Sequence, residues 1–215
     1  MARITLIRVD GGFNKKLISI EETLDKIKTK NALIGIVGLG YVGLPLALAF
    51  GSKNFRVIGF DIDDAVIKSI EAGKSYIKHI RDEEIVRIQN DAGFEATNNF
   101  SRVSEVDVII ICVPTPLSKN REPDLAPVLN TGISLVPYLQ KGQLVVLESS
   151  TYPGTTDTEL STVLERSGLK KDQDFFLAYS PEREDPGNES FCTSNIPKII
   201  GADTPEAREL AAAVY

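Results

Sequence analysis

Residues 32–50 read ALIGIVGLGYVGLPLALAF, and this stretch decides which fold the sequence predicts. It begins with a β-branched apolar run, passes through a cluster of glycines and continues into a longer apolar segment. The first pattern is typical of a strand, and an apolar segment of this length after a turn is typical of a helix. We therefore expect a strand over residues 32–38 and a helix over residues 40–50.

The glycines of this stretch form the pattern G-x-G-x-x-G, with Tyr41 and Val42 between the second and third glycine. The pattern alone is a weak signal, but here it follows a predicted strand and opens a predicted helix. Gly38 would make the tight turn, Gly40 would let the backbone approach a pyrophosphate, and Gly43 would let helix and strand pack closely. The N–H groups at the helix start would face the phosphate charge. We therefore expect all five residues at a bound dinucleotide.

The second predicted strand, residues 55–61, ends in Asp61. A carboxylate at this position can accept hydrogen bonds from the adenosine ribose hydroxyls, and it repels a 2′-phosphate. No arginine directly follows it to receive such a phosphate. The sequence therefore predicts NAD, rather than NADP, as the cofactor.

Short β-branched runs alternate with segments of helical period along the rest of the chain, which is the rhythm of βαβ units. Residues 106–114 are nearly all apolar, as expected of a central parallel strand covered on both faces. The predicted fold class is α/β: a Rossmann-type, doubly wound and mainly parallel sheet with helices on both faces. The further predicted elements are helices at 17–27, 64–72, 82–91, 127–139, 155–167 and 205–215, a helical turn at 101–106, and strands at 143–150, 174–181 and 198–202.

Charge and composition indicate a small-molecule partner. The chain has 215 residues and a formal net charge of −6, without the basic patch that marks a nucleic-acid partner. Apolar runs are too short to cross a bilayer, and the polar start lacks the pattern of a signal peptide, so we expect a cytoplasmic protein without a membrane partner. The two cysteines, Cys112 and Cys192, stand far apart without neighbouring His or Cys, so we predict no disulfide framework and no metal site.

Polar loops follow three later strands, at the ends that face the ligand in open parallel sheets. These loops read CVPTP (112–116), ESSTYPGTT (148–156) and SPEREDPGN (180–188). Each loop alone could be ordinary turn chemistry, since Pro, Ser, Thr and Gly are common turn residues.

Together with IGIVGLGYVGLPLA and GFDID, these motifs resemble the UDP-glucose/GDP-mannose dehydrogenase family, most closely its UDP-N-acetylglucosamine 6-dehydrogenase branch. The resemblance runs from about residue 32 to the last residue. Members of the family oxidise the C6 alcohol of a nucleotide sugar to a carboxylate in two NAD-dependent steps, through an aldehyde and a cysteine-bound thioester. The resemblance therefore implies a UDP-sugar substrate, and we expect a homo-oligomer for the full-length protein.

The resemblance also assigns roles to individual residues. Thr151 would help position the reacting water or oxyanion, and Glu182 would act as acid or base in hydrolysis, roles that suit a hydroxyl and a carboxylate. The remaining residues implied at the cofactor are Val113, Pro114 and Thr115 along the dinucleotide, and Glu148, Ser149 and Ser150 beside its nicotinamide half.

The nucleophilic cysteine of the family belongs to a second half of the enzyme, together with a lysine and an asparagine. Cys112 lies in an apolar strand and is interpreted as a small core residue, and Cys192 lacks the family context. We therefore expect this chain by itself to bind NAD without completing the oxidation. Val66 stands at a position where members of the family often have a basic side chain near the adenosine ribose. We expect a surface or loop-packing role for His79, and Arg183 could meet a substrate phosphate or hydroxyl.

The resemblance divides the chain into a helical extension (1–30), an NAD-binding Rossmann domain (31–204) and the start of a connecting helix (205–215). Helix 17–27 is expected to pack on the domain surface. The last segment shows no stop signal, so we expect the given chain to end inside a helix; a native chain that continues past Tyr215 would favour the dehydrogenase. The apolar residues Leu210, Ala211 and Val214 of the last segment would then lack their partner and lie exposed.

Two other functions stay open at this point. One is a non-catalytic module that senses or sequesters NAD. The other is a Rossmann dehydrogenase for another alcohol, such as a hydroxy acid or an acyl thioester, although that reading does not explain why SPEREDPGN accompanies ESSTYPGTT.

Overall fold

The computed structural model describes residues 13–117, 123–182 and 197–215, and side chains from residue 20 onward. Its centre is a sheet of six parallel strands in the order β3-β2-β1-β4-β5-β6. The strands are β1 (Leu33–Val37), β2 (Arg56–Phe60), β3 (Glu95–Thr97), β4 (Val108–Ile111), β5 (Leu144–Leu147) and β6 (Phe176–Tyr179). This is the strand order of the Rossmann fold, so the predicted fold class is confirmed.

Helices cover both faces of the sheet. The α-helices are α1 (Phe13–Lys28), α2 (Gly43–Ser52), α3 (Asp64–Glu71), α4 (Asp82–Ala92), α5 (Ala126–Leu135), α6 (Ser161–Leu164) and α7 (Pro205–Val214). One core cluster packs α1, α2, α3, α4 and α7 against the sheet, and a second packs α5, α6 and a 3-10 helix at Phe100–Glu105 against the other face. The central strands β4 and β5 are buried along their whole length, as parallel strands between two helical layers must be.

Strands stop earlier than the sequence predicts. The expected strand at 106–114 pairs only over Val108–Ile111, and that at 143–150 only over Leu144–Leu147. The polar residues after these points form loops at the carboxyl edge of the sheet, and the prolines at 114 and 116 lack the N–H that a ladder needs. The shortened strands therefore leave the polar loops free for a ligand.

At the two edges of the sheet, the structure differs from the sequence-based prediction. Glu95–Thr97 forms the edge strand β3, although this short and partly exposed segment has no apolar run to predict a strand. The strand expected at 198–202 is wrong, because this segment makes only an isolated antiparallel bridge between Gly201 and Tyr179. Pairing at an edge depends on the backbone of a neighbour rather than on side-chain pattern, which is why the sequence missed both.

The expected helix at 155–167 is broken into three parts. A π-helical turn at Thr155–Leu160 follows Gly154, whose φ of 97° is left-handed. The short helix α6 comes next, and a 3-10 turn at Glu165–Ser167 ends the segment. A glycine that redirects the chain at the start of a helix allows such a departure from regular hydrogen bonding.

The first helix, α1, packs on the domain surface as predicted. Its Ile27 is fully buried, and the Thr23 hydroxyl donates a hydrogen bond to the carbonyl of Gly142 at 3.0 Å. Lys26 pairs with Asp107 at 3.0 Å, and the same carboxylate accepts from the N–H of Leu33 at the start of β1. These contacts bind α1 to the amino-terminal edge of the sheet, opposite the polar loops.

The expectation that α7 exposes its apolar side chains is wrong. Leu210 and Ala211 are fully buried and Val214 is 4% exposed, because α7 packs against α1 and strands β5 and β6. Thr204 caps this helix by accepting from the N–H of Ala207. The helix is therefore part of the core of the described chain, while the domain boundaries at residues 30 and 204 stay predictions. Within the described ranges, no helix combines the length and apolar character needed to cross a membrane.

Candidate dinucleotide-binding and catalytic site

The glycine loop between β1 and α2 has the geometry that the sequence predicts. Gly38 has a φ of 90°, and a Cβ there would lie 2.9 Å from the carbonyl oxygen of Cys112. A Cβ on Gly43 would lie 1.8 Å from the carbonyl oxygen of Gly38, so only glycine lets α2 start this close to the turn. In contrast, a Cβ on Gly40 would meet no described atom within 4 Å. The space above Gly40 is therefore open to a ligand, as a pyrophosphate needs.

Two side chains fasten this loop through Leu39. The N–H of Leu39 donates to Oδ2 of Asp61 at 2.8 Å, and the hydroxyl of Tyr76 donates to the carbonyl oxygen of Leu39. The other carboxylate oxygen of Asp61 accepts from the N–H of Asp63 at 2.9 Å. Each carboxylate oxygen can accept a second hydrogen bond, so Asp61 can hold the loop and still receive ribose hydroxyls.

Sequence reasoning missed Tyr76, since nothing in its local pattern distinguishes it from a packing residue. Burial raises the pKa of its phenol well above the usual value, and the negative charge of Asp61 raises it further. The hydroxyl therefore keeps its proton and can donate to Leu39 throughout the neutral pH range.

A cavity of about 410 Å³ extends from the glycine loop along the carboxyl ends of β4 and β5. The structure brings together here most of the residues that the sequence nominated for the cofactor, and Glu182 with them. The lining residues are Gly40, Tyr41, Val42, Cys112, Val113, Pro114, Thr115, Glu148, Ser149, Ser150 and Glu182. Gly38, Gly43 and Asp61 are not among the lining residues: the two glycines belong to the glycine loop, and Asp61 binds this loop through the N–H of Leu39.

Hydrogen bonds between the two loops set the shape of this cavity. The hydroxyl of Thr115 donates to the carbonyl of Ser150 at 2.6 Å, and the hydroxyl of Ser149 donates to the carbonyl of Val113 at 2.7 Å. These bonds cross between the ends of β4 and β5 in both directions. The two loops therefore form one wall rather than two independent turns.

The two residues nominated for catalysis lie on different cavities in this chain. Glu182 contributes to the wall of the cofactor cavity, whereas Thr151 lines a neighbouring cavity of about 480 Å³ beside β6. Lys171 and Asp203 form an ion pair in the lining of that second cavity. The consecutive residues Ser150 and Thr151 therefore line different cavities.

Glu148 has hydrogen-bonding and charged partners that the sequence did not predict. Its side chain is 1% exposed, and its two carboxylate oxygens contact the ammonium of Lys198 and the hydroxyl of Tyr215. The sequence nominated Glu148 for the cofactor but gave no signal for its partners, which lie 50 and 67 residues further along the chain.

Cys112 is buried, in agreement with its interpretation as a core residue. Burial raises the pKa of its thiol well above the usual value, and the carboxylates of Glu148 and Glu182 raise it further. A thiol that keeps its proton is a poor nucleophile, so Cys112 is unsuited to form a thioester.

The remaining sequence-level candidates are placed as follows. His79 is exposed and lines neither cavity, while Val66 is half-buried and packs against the core. Arg183 and Cys192 lie outside the described residues. Among the described residues, no group of three or more His, Cys, Asp or Glu side chains is arranged to hold a metal ion.

The strand order, the glycine loop and the cavity at the carboxyl ends of β1, β4 and β5 define a dinucleotide-binding domain of the Rossmann class. Residues 32–215 match the NAD binding domain of the UDP-glucose/GDP-mannose dehydrogenase family, and the chain belongs to this family. NAD is accordingly its cofactor.

Individual relatives agree with this assignment. The chain is 38% identical over 187 residues to a UDP-N-acetyl-D-glucosamine 6-dehydrogenase of Pseudomonas aeruginosa, covering 86% of this chain and 43% of that protein. A solved NDP-N-acetyl-D-galactosaminuronic acid dehydrogenase of Methanosarcina mazei is 31% identical with a TM-score of 0.78, covering 90% of this chain and 44% of the other. A UDP-D-ManNAc dehydrogenase of Pyrococcus horikoshii is 33% identical with a TM-score of 0.77, covering 85% and 44%. The chain thus spans less than half the length of these relatives.

Proposed function

We propose that this chain is the NAD-binding half of an enzyme that oxidises the C6 hydroxyl of a UDP-N-acetylhexosamine to a carboxylate. The observation that carries the proposal is the cavity that joins the glycine loop to two carboxylates, the buried Glu148 and the partly buried Glu182. The names of similar proteins, which are dehydrogenases of UDP-N-acetylglucosamine and UDP-N-acetylmannosamine, support this class of substrate.

In this proposal the open space above Gly40 receives the pyrophosphate of NAD, and Asp61 receives the adenosine ribose. The loops after β4 and β5, residues 113–115 and 148–150, hold the nicotinamide half. NAD supplies the chemistry of hydride acceptance when it is bound. The protein supplies orientation, through a wall whose loops are joined by the Thr115 and Ser149 hydrogen bonds.

We assign Glu182 to proton transfer during hydrolysis, because its carboxylate reaches the wall of the cofactor cavity and can act as acid or base. Thr151 would orient a water molecule or an oxyanion through its hydroxyl. Thr151 and Glu182 line neighbouring cavities, so the proposal requires the substrate to reach both of them.

The nucleophile must come from outside the described residues, because Cys112 is buried and keeps its proton. In the family, the nucleophilic cysteine belongs to a second half of the enzyme, and Cys192 lacks that family context. We therefore propose that the 215-residue chain alone binds NAD without oxidising a UDP-sugar to its acid. When catalytic residues act together, removing one of them removes most of the rate enhancement of the whole group. We therefore expect the 215-residue chain to show no turnover of a UDP-sugar, rather than slow turnover. The cytoplasmic location and the homo-oligomeric state of the full-length protein stay predictions.

The test is an absorbance assay of NADH formation with UDP-N-acetylglucosamine, a panel of other UDP-sugars and a panel of hydroxy acids. The full-length protein should reduce NAD with a UDP-N-acetylhexosamine, and the 215-residue chain should not. Replacing Glu182 by Gln in the full-length protein should lower kcat by about 10²–10⁴-fold, the usual contribution of a general acid or base. Turnover by the short chain that is lost on Cys192→Ala, or turnover of hydroxy acids only, would contradict the proposal.

A further inference from the structure

A buried polar cluster of Glu148, Lys198 and Tyr215 stands directly behind the cofactor cavity. Glu148 follows β5 and lies in the cavity wall, although its side chain is only 1% exposed. Lys198 pairs with Oε1 of this carboxylate, and the hydroxyl of Tyr215 donates a hydrogen bond to Oε2. Both oxygens of the carboxylate are therefore held by side chains from other parts of the chain.

A carboxylate this deep in a protein is costly unless it is paired and hydrogen-bonded. Lys198, whose side chain is 13% exposed, supplies the charge, and Tyr215 supplies a hydrogen bond. Burial raises the pKa of Tyr215 well above the usual value, and the charge of Glu148 raises it further, so the phenol remains a donor. The cluster is built to keep one carboxylate in one position.

Contacts around Tyr215 fasten the cluster to the rest of the fold. Its ring packs against Phe50 of α2 with the ring centroids 6.2 Å apart, and the Lys198 ammonium lies 5.2 Å from the centroid of the Tyr215 ring. Helix α2 begins at the glycine loop, so the same helix that presents the phosphate site also supports Tyr215. The hydroxyl of Tyr215 can therefore be removed without removing the packing of its ring.

The topology of the sheet locates the cluster relative to the dinucleotide. In the order β3-β2-β1-β4-β5-β6, one mononucleotide half lies over β1 to β3 and the other over β4 to β6. Asp61 at the end of β2 marks the adenosine half, so Glu148 at the end of β5 lies on the nicotinamide half.

We propose that Lys198 and Tyr215 are positioning residues that hold the Glu148 carboxylate in the wall of the cavity and thereby set the affinity for the nicotinamide end of NAD. This inference rests on the proposed assignment of the cavity to NAD. The two residues act through Glu148, and they leave the adenosine half of the site untouched.

Calorimetric titration of the 215-residue chain with NAD and with ADP-ribose tests the proposal, because ADP-ribose lacks the nicotinamide ring. Tyr215→Phe removes one hydrogen bond to a charged group while its ring keeps its packing. We expect the affinity for NAD to fall about tenfold, and the affinity for ADP-ribose to stay within about twofold of the wild-type value.

Lys198→Gln is measured in parallel and provides the same comparison by itself if the tyrosine variant does not fold. Equal losses of affinity for both ligands would show a merely structural role and overturn the proposal, as would unchanged NAD binding in the folded variants. Wild-type protein and Gly40→Val are titrated beside them. If the wild-type protein does not bind NAD, or if Gly40→Val binds NAD with normal affinity, the cavity is not the NAD site. If both controls behave as expected, the results for Tyr215→Phe and Lys198→Gln test only the positioning role of these two residues.

Discussion

The two halves of the cofactor site are held together in different ways. On the β1–β2 side, the backbone itself forms the site, and Leu39 is held by Asp61, directly after β2, and by Tyr76, which follows α3. On the β4–β5 side, side chains bind groups from distant parts of the chain: the Thr115 hydroxyl donates to the backbone carbonyl of Ser150, and the Tyr215 hydroxyl donates to the Glu148 carboxylate. A substitution that obstructs the backbone of the β1–β2 half should therefore abolish NAD binding. Removing one side chain from the β4–β5 half should only lower the affinity for NAD.

The strongest test of this contrast is Gly40→Val. The φ of Gly40 is not in the left-handed region and a Cβ there meets no described atom within 4 Å, so the fold should accept the substitution. The branched side chain would fill the space in which the pyrophosphate meets the loop, and NAD binding should fall below detection in calorimetry. The melting temperature should remain near that of the wild-type protein.

Gly201→Val is the matched control, because a Cβ there also meets no described atom within 4 Å and Gly201 lines the cavity of Thr151 rather than that of the glycine loop. This variant should bind NAD as the wild-type protein does. If Gly40→Val binds NAD with normal affinity, the glycine loop is not part of the NAD site, and the proposed difference between the two halves is wrong.

A second test concerns Asp61 and the choice between NAD and NADP. The carboxylate would face the 2′-phosphate of NADP, and a like-charge contact of this kind costs several kcal/mol, so NADP should bind at least about a hundredfold more weakly. Titration of both dinucleotides measures this ratio.

Asp61→Asn removes the charge and should narrow the ratio, although it should also weaken NAD binding because Leu39 and Asp63 both donate to this side chain. NADP binding equal to or tighter than NAD binding in the wild-type protein would show that Asp61 does not face the ribose.

The smallest expected effect, and the one that sharpens the comparison most, is that of Tyr76→Phe. This change removes the hydrogen bond to the carbonyl of Leu39 and leaves the ring in place. One neutral hydrogen bond contributes about 1 kcal/mol, so affinity should fall about fivefold. Because the loop holds the pyrophosphate, the loss should be equal for NAD and ADP-ribose, unlike the loss in Tyr215→Phe. A loss confined to NAD would mean that the two halves of the site are not separable in this way.

The sequence predicted the β1–β2 half of the site almost completely, and the reason is physical. The glycine pattern, the strand before it and Asp61 after the next strand are local signals, because a left-handed φ at Gly38 and close packing at Gly43 are properties of single residues. The residues after β4 and β5 were identified by motif, and the structure collects them on one cavity with Glu182, while Thr151 lies on the neighbouring one.

Only the tertiary structure decided the rest, because it depends on contacts between residues far apart in the chain. Glu95–Thr97 becomes a strand because the edge of β2 is available, and α7 buries Leu210 because α1, β5 and β6 surround it. The partners of Glu148 and the role of Tyr76 could not be predicted, since a lysine or tyrosine has the same local pattern whether it covers a surface or holds a carboxylate. The sequence by itself predicted the Rossmann fold, the glycine loop and NAD as the cofactor, through backbone chemistry and periodicity. The tertiary structure determined which side chains hold the loops after β4 and β5 in place, through long-range hydrogen bonds that no local pattern encodes.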